Sequence, residues 1–413
     1  MFMNMFKEVG ESPMREKAVK EAASETMTAA QIKAAALALV PGIEARAREI
    51  ADLRRLPSDL VLKLKKAGAY SIMMPRAWGG PEMTPREQIE VIEIYSAADP
   101  SVGCCVMIGS DSGFFAAFHE ESAARELYPE IDYSMGGSVS PLGRAVRVPG
   151  GFRVSGRWSF GSNINNAEVI MVICPVYEGD SPVLVDGRHE MRMFSAPAAS
   201  WEIIDTWHTT GLAGTGSNDY AAKDLFIPES HTIPDVMAAQ PRRTEPLYAW
   251  WPVFLSNMHG VPLGLARRAI DIVKTMAGQK RQPNVTRPTE SLLMKEVPRV
   301  RAAIARAEMS LGAARAYTYE TADRLWDDLS RQGAVSRETR VAVALSRQCA
   351  FRTGRETAQL MLDTAGSSAI YRSSPLDGLL RDAITMCQHW TAQERTLEMI
   401  GALAFGDDAP GMI

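Results

Sequence analysis

The spacing of apolar residues changes twice along this chain. As far as about Tyr128 they recur every three or four positions, from about Tyr133 they alternate, and beyond about Tyr248 the wider spacing returns. Periods of 3.6 and 2 belong to half-buried helices and strands respectively, so the order is helical, β, helical. No internal repeat or low-complexity segment interrupts it. The 413 residues are enough for a sizeable core in each part. The boundaries expected are an N-terminal extension over 1–28, a helical domain over 29–132, a β domain over 133–240 and a second helical domain over 241–413.

Local signals sharpen this outline. In the first part Ile32, Ala35, Leu37, Leu39, Ile43 and Ile50 fall broadly at helical spacing before Arg54 and the break at Leu56-Pro57-Ser58. Ser58 is placed to cap the next helix, which carries Leu60, Leu62 and Leu64 and stops at Gly68. Thr84, Pro85 and Glu87 form a capping box with proline at the first helical position, and Ile89, Val91, Ile92 and Ile94 continue that helix. In the middle part, residues 144–160 alternate around Pro149-Gly150-Gly151, a hairpin signature. Further strand-like runs occupy 168–177 and 190–197, and another ends at 224–230. In the last part Val297, Val300, Ile304, Ala307, Leu311 and Ala314 step along one long helix, and a second runs from about Ser336 to Thr364 and ends at Gly366. Long helices joined by short breaks predict a four-helix bundle.

Several chemistries are removed by what is missing. With 45 basic against 49 acidic side chains the net charge is -4, so no global positive field exists for nucleic acid or an anionic membrane surface. Cys104, Cys105, Cys174, Cys349 and Cys387 show no CxxC spacing, which predicts a reduced, cytoplasmic setting. The first residues lack a signal-peptide core, and no run approaches the roughly 18 apolar residues needed to cross a bilayer. The six histidines are scattered and His119-Glu120-Glu121 lacks a second histidine, so no metal site is expected. No GxSxG or phosphate-loop motif occurs. GLAGTG at 211–216 has the wrong glycine spacing for a dinucleotide fingerprint and leads into a strand-like stretch, which excludes a nicotinamide fold.

Four segments then carry a resemblance by their content and order: MPRAWGG (74–80), VSPLGRAVRVPGGFRVSGRWSFGSNINNAEV (139–169), GLAGTGSNDYAAKDLFIPE (211–229) and AGSSAIYRSSPLDGLLRDA (365–383). Together they resemble the acyl-CoA dehydrogenase superfamily. Within it they look most like the two-component flavin-dependent monooxygenases, the oxygenase components acting on 4-hydroxyphenylacetate, steroid-derived phenols and dibenzothiophene. The resemblance spans about residues 30 to 405. It implies an α+β fold, with an N-terminal helical domain, a middle β-barrel or sandwich and a C-terminal four-helix bundle, assembled as a homotetramer. It further implies that a separate flavin reductase supplies reduced FMN or FAD by diffusion. O2 would then form a C4a-hydroperoxyflavin that oxygenates a small aromatic or heteroatom-containing substrate.

The same resemblance assigns residues. Val139 and Ser140 would meet the pyrimidine edge of the flavin, Ser162 would place a hydroxyl near N5, and Phe160 would lie against the ring. Period-2 geometry would put Phe160 and Ser162 on one face of a strand, whereas the residues alone, without the resemblance, favour Phe160 as β-core and Ser162 as a turn residue. Many acyl-CoA dehydrogenases carry a catalytic glutamate nine residues after the arginine of a motif similar to Arg381-Asp382-Ala383. Here that place holds Trp390, which cannot take a proton. The monooxygenases carry a histidine eight residues after that arginine, and His389 stands there, an imidazole of ordinary pKa about 6.5 if unperturbed. A satisfied histidine on a bundle helix is the alternative.

Asp111 falls where phenol-hydroxylating relatives often place a histidine. With Trp390 it is a candidate substrate contact, suited to an amine or indole nitrogen, or else a helix-terminal aspartate. Trp207, Trp250 and Trp251 are further candidates for aromatic walls. Arg281 could supply a phosphate-binding arginine, but Gln282-Pro283-Asn284 follows in place of a Phe-Gly pair, which favours FMN over FAD. Gly366, Ser367 and Ser368 would approach a flavin, one bound mainly by another chain of the tetramer. Two other functions stay open: an acyl-CoA dehydrogenase or oxidase whose base has moved to Glu356 or Glu394, and a non-catalytic flavin-fold scaffold.

Overall fold

The computed structural model describes residues 26–234, 239–283 and 291–407. Most of the expected N-terminal extension, and Asn284, lie outside them. Helix α1 (Ala29–Glu44) starts at Thr28, whose hydroxyl accepts from the Gln31 N–H in a capping box. Helix α2 (Ala47–Leu53) ends at Arg54 with φ 51°. In α3 (Ser58–Lys66) the structure corrects the expected cap, because Pro57 occupies the N-cap with extended backbone and Ser58 is already helical. Leu60, Val61 and Leu64 form its buried face, while Leu62 is exposed. Residues two apart lie on opposite sides of a helix, so Leu62 faces away from Leu60 and Leu64.

Helix α4 (Pro85–Ala98) has the anticipated capping box at Thr84 and Glu87. Asp99 then starts α5 (Pro100–Ser110) by accepting from the Ser101 and Val102 N–H groups. Short helices α6 (Ser112–Ala116) and α7 (Glu121–Leu127) complete the first part.

The β part contains β1 (Met135–Pro141), β2 (Arg144–Val148), β3 (Gly151–Trp158), β4 (Val169–Glu178), β5 (Met191–Pro197), β6 (Glu202–Ile204), β7 (Asp219–Pro228) and β8 (Thr232–Ile233). Strands β2 and β3 form the expected hairpin, Val148 facing Gly151 across Pro149-Gly150, where Gly150 takes φ 82°. The sheet order is β8-β5-β4-β2-β3-β7-β6, and β1 runs parallel to β4 at its start. Phe152, Trp158, Val172, Phe194 and Tyr220 fill the core of this sheet. The Tyr220 hydroxyl donates to Met171 O at 3.0 Å and accepts from the Ser138 N–H at 2.9 Å, which pins β1 in place from beneath.

The last part holds α8 (Gly260–Gln279), α9 (Pro298–Gln332), α10 (Arg337–Ala365), α11 (Pro375–Met386) and α12 (Glu394–Phe405). Helices α8 to α11 form the bundle, and α4 of the first part packs along α8. Gly264 permits that approach, since a Cβ there would lie 2.4 Å from Glu93 O. The two helical parts, separated in sequence by the sheet, therefore share one hydrophobic core. Among the described residues no helix is long and apolar enough to cross a membrane.

Candidate active site

A cavity of about 540 Å³ opens where α5, the sheet and the bundle meet. Its wall is mainly apolar, with Met107, Phe254, Met258, Phe351 and Trp390 among the contributors. Among the described lining residues the titratable side chains are Cys104, Asp111 and His389, and none is Lys or Arg. Such a space excludes much water and amplifies the few polar groups that reach it.

The sheet side bears Val139, Ser140, Phe160 and Ser162, as anticipated, but by different geometry. Strand β3 ends at Trp158, and Phe160 takes φ 62°, so it shares no strand face with Ser162. The left-handed turn, and not a shared strand face, brings both to the cavity. Phe160 is 66% exposed and presents its ring into the opening, edge-on to Trp207 at 6.2 Å between centroids. The Ser140 N–H is already donated to Ser138 Oγ at 3.3 Å, so its hydroxyl is the group left for a ligand.

Ser162 belongs to a chain of hydroxyls. Thr215 Oγ1 donates to Leu212 O at 2.8 Å, and a carbonyl can only accept. Ser217 must then donate to Thr215 at 2.8 Å, and Ser162 to Ser217 at 3.1 Å. The direction of this chain leaves the Ser162 oxygen as an acceptor toward the cavity. Ser217 and Thr215 were not singled out from sequence, because no local pattern links residues more than fifty positions apart.

Opposite lies His389, at the N-cap of a short 3₁₀ turn over Trp390–Ala392. Its Nδ1 accepts from the Thr391 N–H at 3.3 Å and contacts Thr391 Oγ1 at 2.8 Å. A nitrogen that accepts carries no proton, so the ring proton sits on Nε2. Desolvation among the cavity walls, and secondly the Arg347 charge, lower its pKa toward about 4, although the side chain stays open to the cavity in the single chain. In this setting His389 is a hydrogen-bond donor through Nε2–H and a weaker base than an ordinary imidazole.

Asp111 sits between α5 and α6, buried and lining the cavity. Burial pushes its carboxyl well above the usual carboxylate range. Asn257 Nδ2 donates to Asp111 Oδ1 at 3.3 Å, while Asn257 Oδ1, fully buried, has no partner. An unpaired buried acceptor on a cavity wall is what a ligand donor would satisfy. Asn257 also escaped the sequence reading, since it lies in an irregular 3₁₀ stretch without periodicity.

Other expected residues lie elsewhere. Trp250 and Trp251 do not line the cavity, and Trp251 packs against Phe114, Phe115 and Phe118 in the core. Arg281 is in a short two-stranded ribbon and bonds Ser291, away from the cavity of its own chain. Gly366, Ser367 and Ser368 follow α10 and also lie outside it, although Lys280 Nζ donates to Ser368 Oγ and so joins the two segments. Glu356 does not reach the cavity, and Glu394 pairs with Arg352 at 3.4 Å beside a shallower neighbouring pocket.

Residues 23–129 match the family described as acyl-CoA dehydrogenase, N-terminal domain, and residues 258–394 match acyl-CoA dehydrogenase, C-terminal domain. The chain is 30% identical to an indole-3-acetate monooxygenase of Pseudomonas putida, covering 89% of this chain and 92% of that protein. The chain belongs to the acyl-CoA dehydrogenase superfamily, among its flavin-dependent monooxygenases. The monooxygenase is also 27% identical to the oxygenase component of an FADH(2)-dependent resorcinol hydroxylase of Rhizobium sp., over 83% of this chain and 86% of that one. Its fold matches the HsaA monooxygenase from M. tuberculosis with a TM-score of 0.83 over 94% of this chain and 100% of that chain, at 24% identity.

The residues of the monooxygenase fit a reduced flavin. The N5 position of reduced flavin is a donor, and the Ser162 hydroxyl is left as an acceptor by its own chain of hydrogen bonds. Phe160 offers an open aromatic face to a flat ring.

Proposed function

We propose that this monooxygenase takes reduced flavin, FMN in preference to FAD, from a separate reductase and oxygenates a small aromatic substrate. Reduced flavin supplies the two electrons with which one atom of O2 enters the substrate and the other leaves as water. Ser162 holds the N5 edge, Phe160 stacks against the ring, and Val139 and Ser140 meet its pyrimidine edge. His389 faces the reacting region with Nε2–H and steadies negative charge that develops on oxygen. Asp111 and Asn257 receive the substrate, with Trp390 as an apolar wall.

The observation that carries this reading is the pairing across one cavity of the acceptor hydroxyl of Ser162 with the neutral donor of His389. A dehydrogenase needs a carboxylate base facing the substrate, and the single carboxyl among the described lining residues, Asp111, is held toward its protonated form. The substrate proposed is a fused or single aromatic ring bearing an N–H or O–H, because Asn257 Oδ1 lacks a donor. The chain works in the cytoplasm as a homotetramer. Ile370 and Tyr371, beside Gly366 to Ser368, are exposed in the single chain and would be covered at that interface.

The test is oxygenation of candidate aromatics with chemically reduced FMN under ¹⁸O2, read by mass spectrometry. One labelled oxygen per product is expected. Bleaching of oxidised flavin by an acyl-CoA without oxygen would replace this reading with the dehydrogenase. Sedimentation should give a tetramer, and a monomer that holds flavin tightly would remove the role of residues 366–368.

A further inference from the structure

The turn that carries His389 is fastened to three helices. The His389 N–H donates to Met386 O, the end of α11, at 3.1 Å, and the Ala392 N–H closes the turn on His389 O at 2.9 Å. Thr396 Oγ1, in the first turn of α12, donates to Trp390 O at 2.6 Å. Gln348 reaches from the buried face of α10, and its Nε2 donates to Thr391 O at 2.5 Å. Gln348 and Thr391 are 3% and 0% exposed, so the bond between them is shielded from water.

Thr391 turns this fastening toward the imidazole. His389 occupies an N-cap position, where the side chain has to accept from the backbone and Ser, Thr, Asp or Asn usually does so. Here Nδ1 is the acceptor, 3.3 Å from the Thr391 N–H and 2.8 Å from Thr391 Oγ1. The Thr391 hydroxyl has one proton and two acceptors in contact among the described residues, this nitrogen and the Met258 sulfur at 4.0 Å. A thioether is a weak acceptor, so the proton goes to the nitrogen. Two donors of one residue therefore converge on Nδ1. A proton on Nδ1 would break the first bond, reverse the second and leave the hydroxyl only the sulfur. Packing alone would be served by valine, which has the shape of threonine without the hydroxyl.

We propose that Thr391 is a positioning residue for oxygenation, whose hydroxyl and N–H together fix the His389 ring as its Nε2–H tautomer, with Gln348 holding Thr391 in place from α10. This rests on the function proposed above for the cavity. Thr391 does not itself line the cavity, so it acts through the imidazole that does. The bond made at one ring nitrogen decides which nitrogen carries the proton, and a ring held at Nδ1 has only Nε2–H to offer a reacting oxygen. The Trp390 ring, tilted by 36° at 5.8 Å between centroids, flanks the imidazole.

The experiment reads the ring-nitrogen NMR signals of His389 in the full-length, histidine-labelled protein at neutral pH, with His389→Gln assigning them among the six histidines. The wild type should show Nε2 protonated and Nδ1 bare. Thr391→Val keeps the N–H but lacks the hydroxyl, and should shift the tautomer equilibrium about threefold to tenfold toward Nδ1–H, the usual worth of one hydrogen bond. Thr391→Ser should restore the wild-type signals, and Gln348→Met should move them part of the way toward those of Thr391→Val. In turnover with reduced FMN, Thr391→Val should lower the ratio of oxygenated product to hydrogen peroxide and Thr391→Ser should recover it, with reduced-flavin affinity unchanged in both. A proton on Nδ1 in the wild type, or identical His389 signals in the wild type and Thr391→Val, overturns the proposal, and the first of these needs no variant to fold. Absence of any oxygenation by the wild type would overturn the function of the cavity while leaving the link between Thr391 and the ring to stand.

Discussion

Asp382 Oδ1 accepts a hydrogen bond of 2.6 Å from the backbone N–H of Leu212, 170 positions away in the chain. Leu212 holds φ 51°, an αL conformation that a leucine adopts only when its surroundings enforce it. It lines the cavity, and its carbonyl is the terminus of the hydroxyl chain that orients Ser162. The Arg-Asp-Ala segment that leads to His389 thus also secures the wall that carries Ser162.

Burial, with Asp99 nearby, raises the Asp382 pKa to about 7. An acid whose folded pKa exceeds its unfolded value of about 3.9 contributes stability that is full below the unfolded value and lost as pH rises through the folded one. Asp382→Asn keeps an oxygen for Leu212 and does not ionise. Its stability advantage over the wild type should therefore grow between pH 5 and pH 8, by roughly 1–2 kcal/mol. Denaturant midpoints at the two pH values check this, and an advantage independent of pH would show that Asp382 does not titrate in the fold.

His389→Ala should leave reduced-flavin binding intact and reduce oxygenation by about 10²–10⁴-fold, the usual worth of a positioned proton-transfer or donor group. His389→Gln retains a side-chain N–H and should recover part of that loss. Since the ring is neutral above about pH 4, activity assigned to it should not decline between pH 8 and pH 5.5. Equilibrium flavin titration and product yield at fixed reductant separate the two effects, and joint loss of binding and activity would move His389 into the cofactor site.

Substrate recognition is assigned to the Asn257 oxygen and the Asp111 carboxyl. Indole should bind at least tenfold more tightly than 1-methylindole, since removal of a donor leaves a buried acceptor unpaired at a cost of about 1–3 kcal/mol. Asn257→Leu should erase the difference. Equal binding of the two ligands by the wild type would place the substrate elsewhere in the cavity.

The hairpin at Pro149-Gly150, the capping box at Thr84 and the long helices α9 and α10 were legible because each is written in neighbouring residues. The cavity was legible only in part. Ser162, His389 and Trp390 could be located by motif, but the φ of Phe160 breaks the alternation that was meant to place it. His389 looked ordinary because the desolvation that acts on its ring comes from cavity walls built by segments far away in the chain. Asn257 and Ser217 have no local signature, because their contacts are made across the fold.

The final prediction concerns Ser162. Its hydroxyl proton is committed through Ser217 to Thr215 and Leu212, so its oxygen is left as an acceptor toward the cavity, where the N5 edge of the flavin is proposed to lie. A hydrogen bond that retains the N5 proton should keep the oxygen from leaving as hydrogen peroxide before it reaches the substrate. Loss of such a bond is worth about 1–3 kcal/mol, or roughly a tenfold to hundredfold change in rate. Ser162→Ala should bind reduced flavin and consume oxygen, yet divert turnover into free peroxide. Ser217→Ala keeps the Ser162 hydroxyl but frees its proton to point into the cavity, and should show a smaller shift in the same direction. The ratio of oxygenated product to peroxide at fixed reductant supply decides it. An unchanged ratio in Ser162→Ala would reduce the serine to a turn residue that happens to border the cavity.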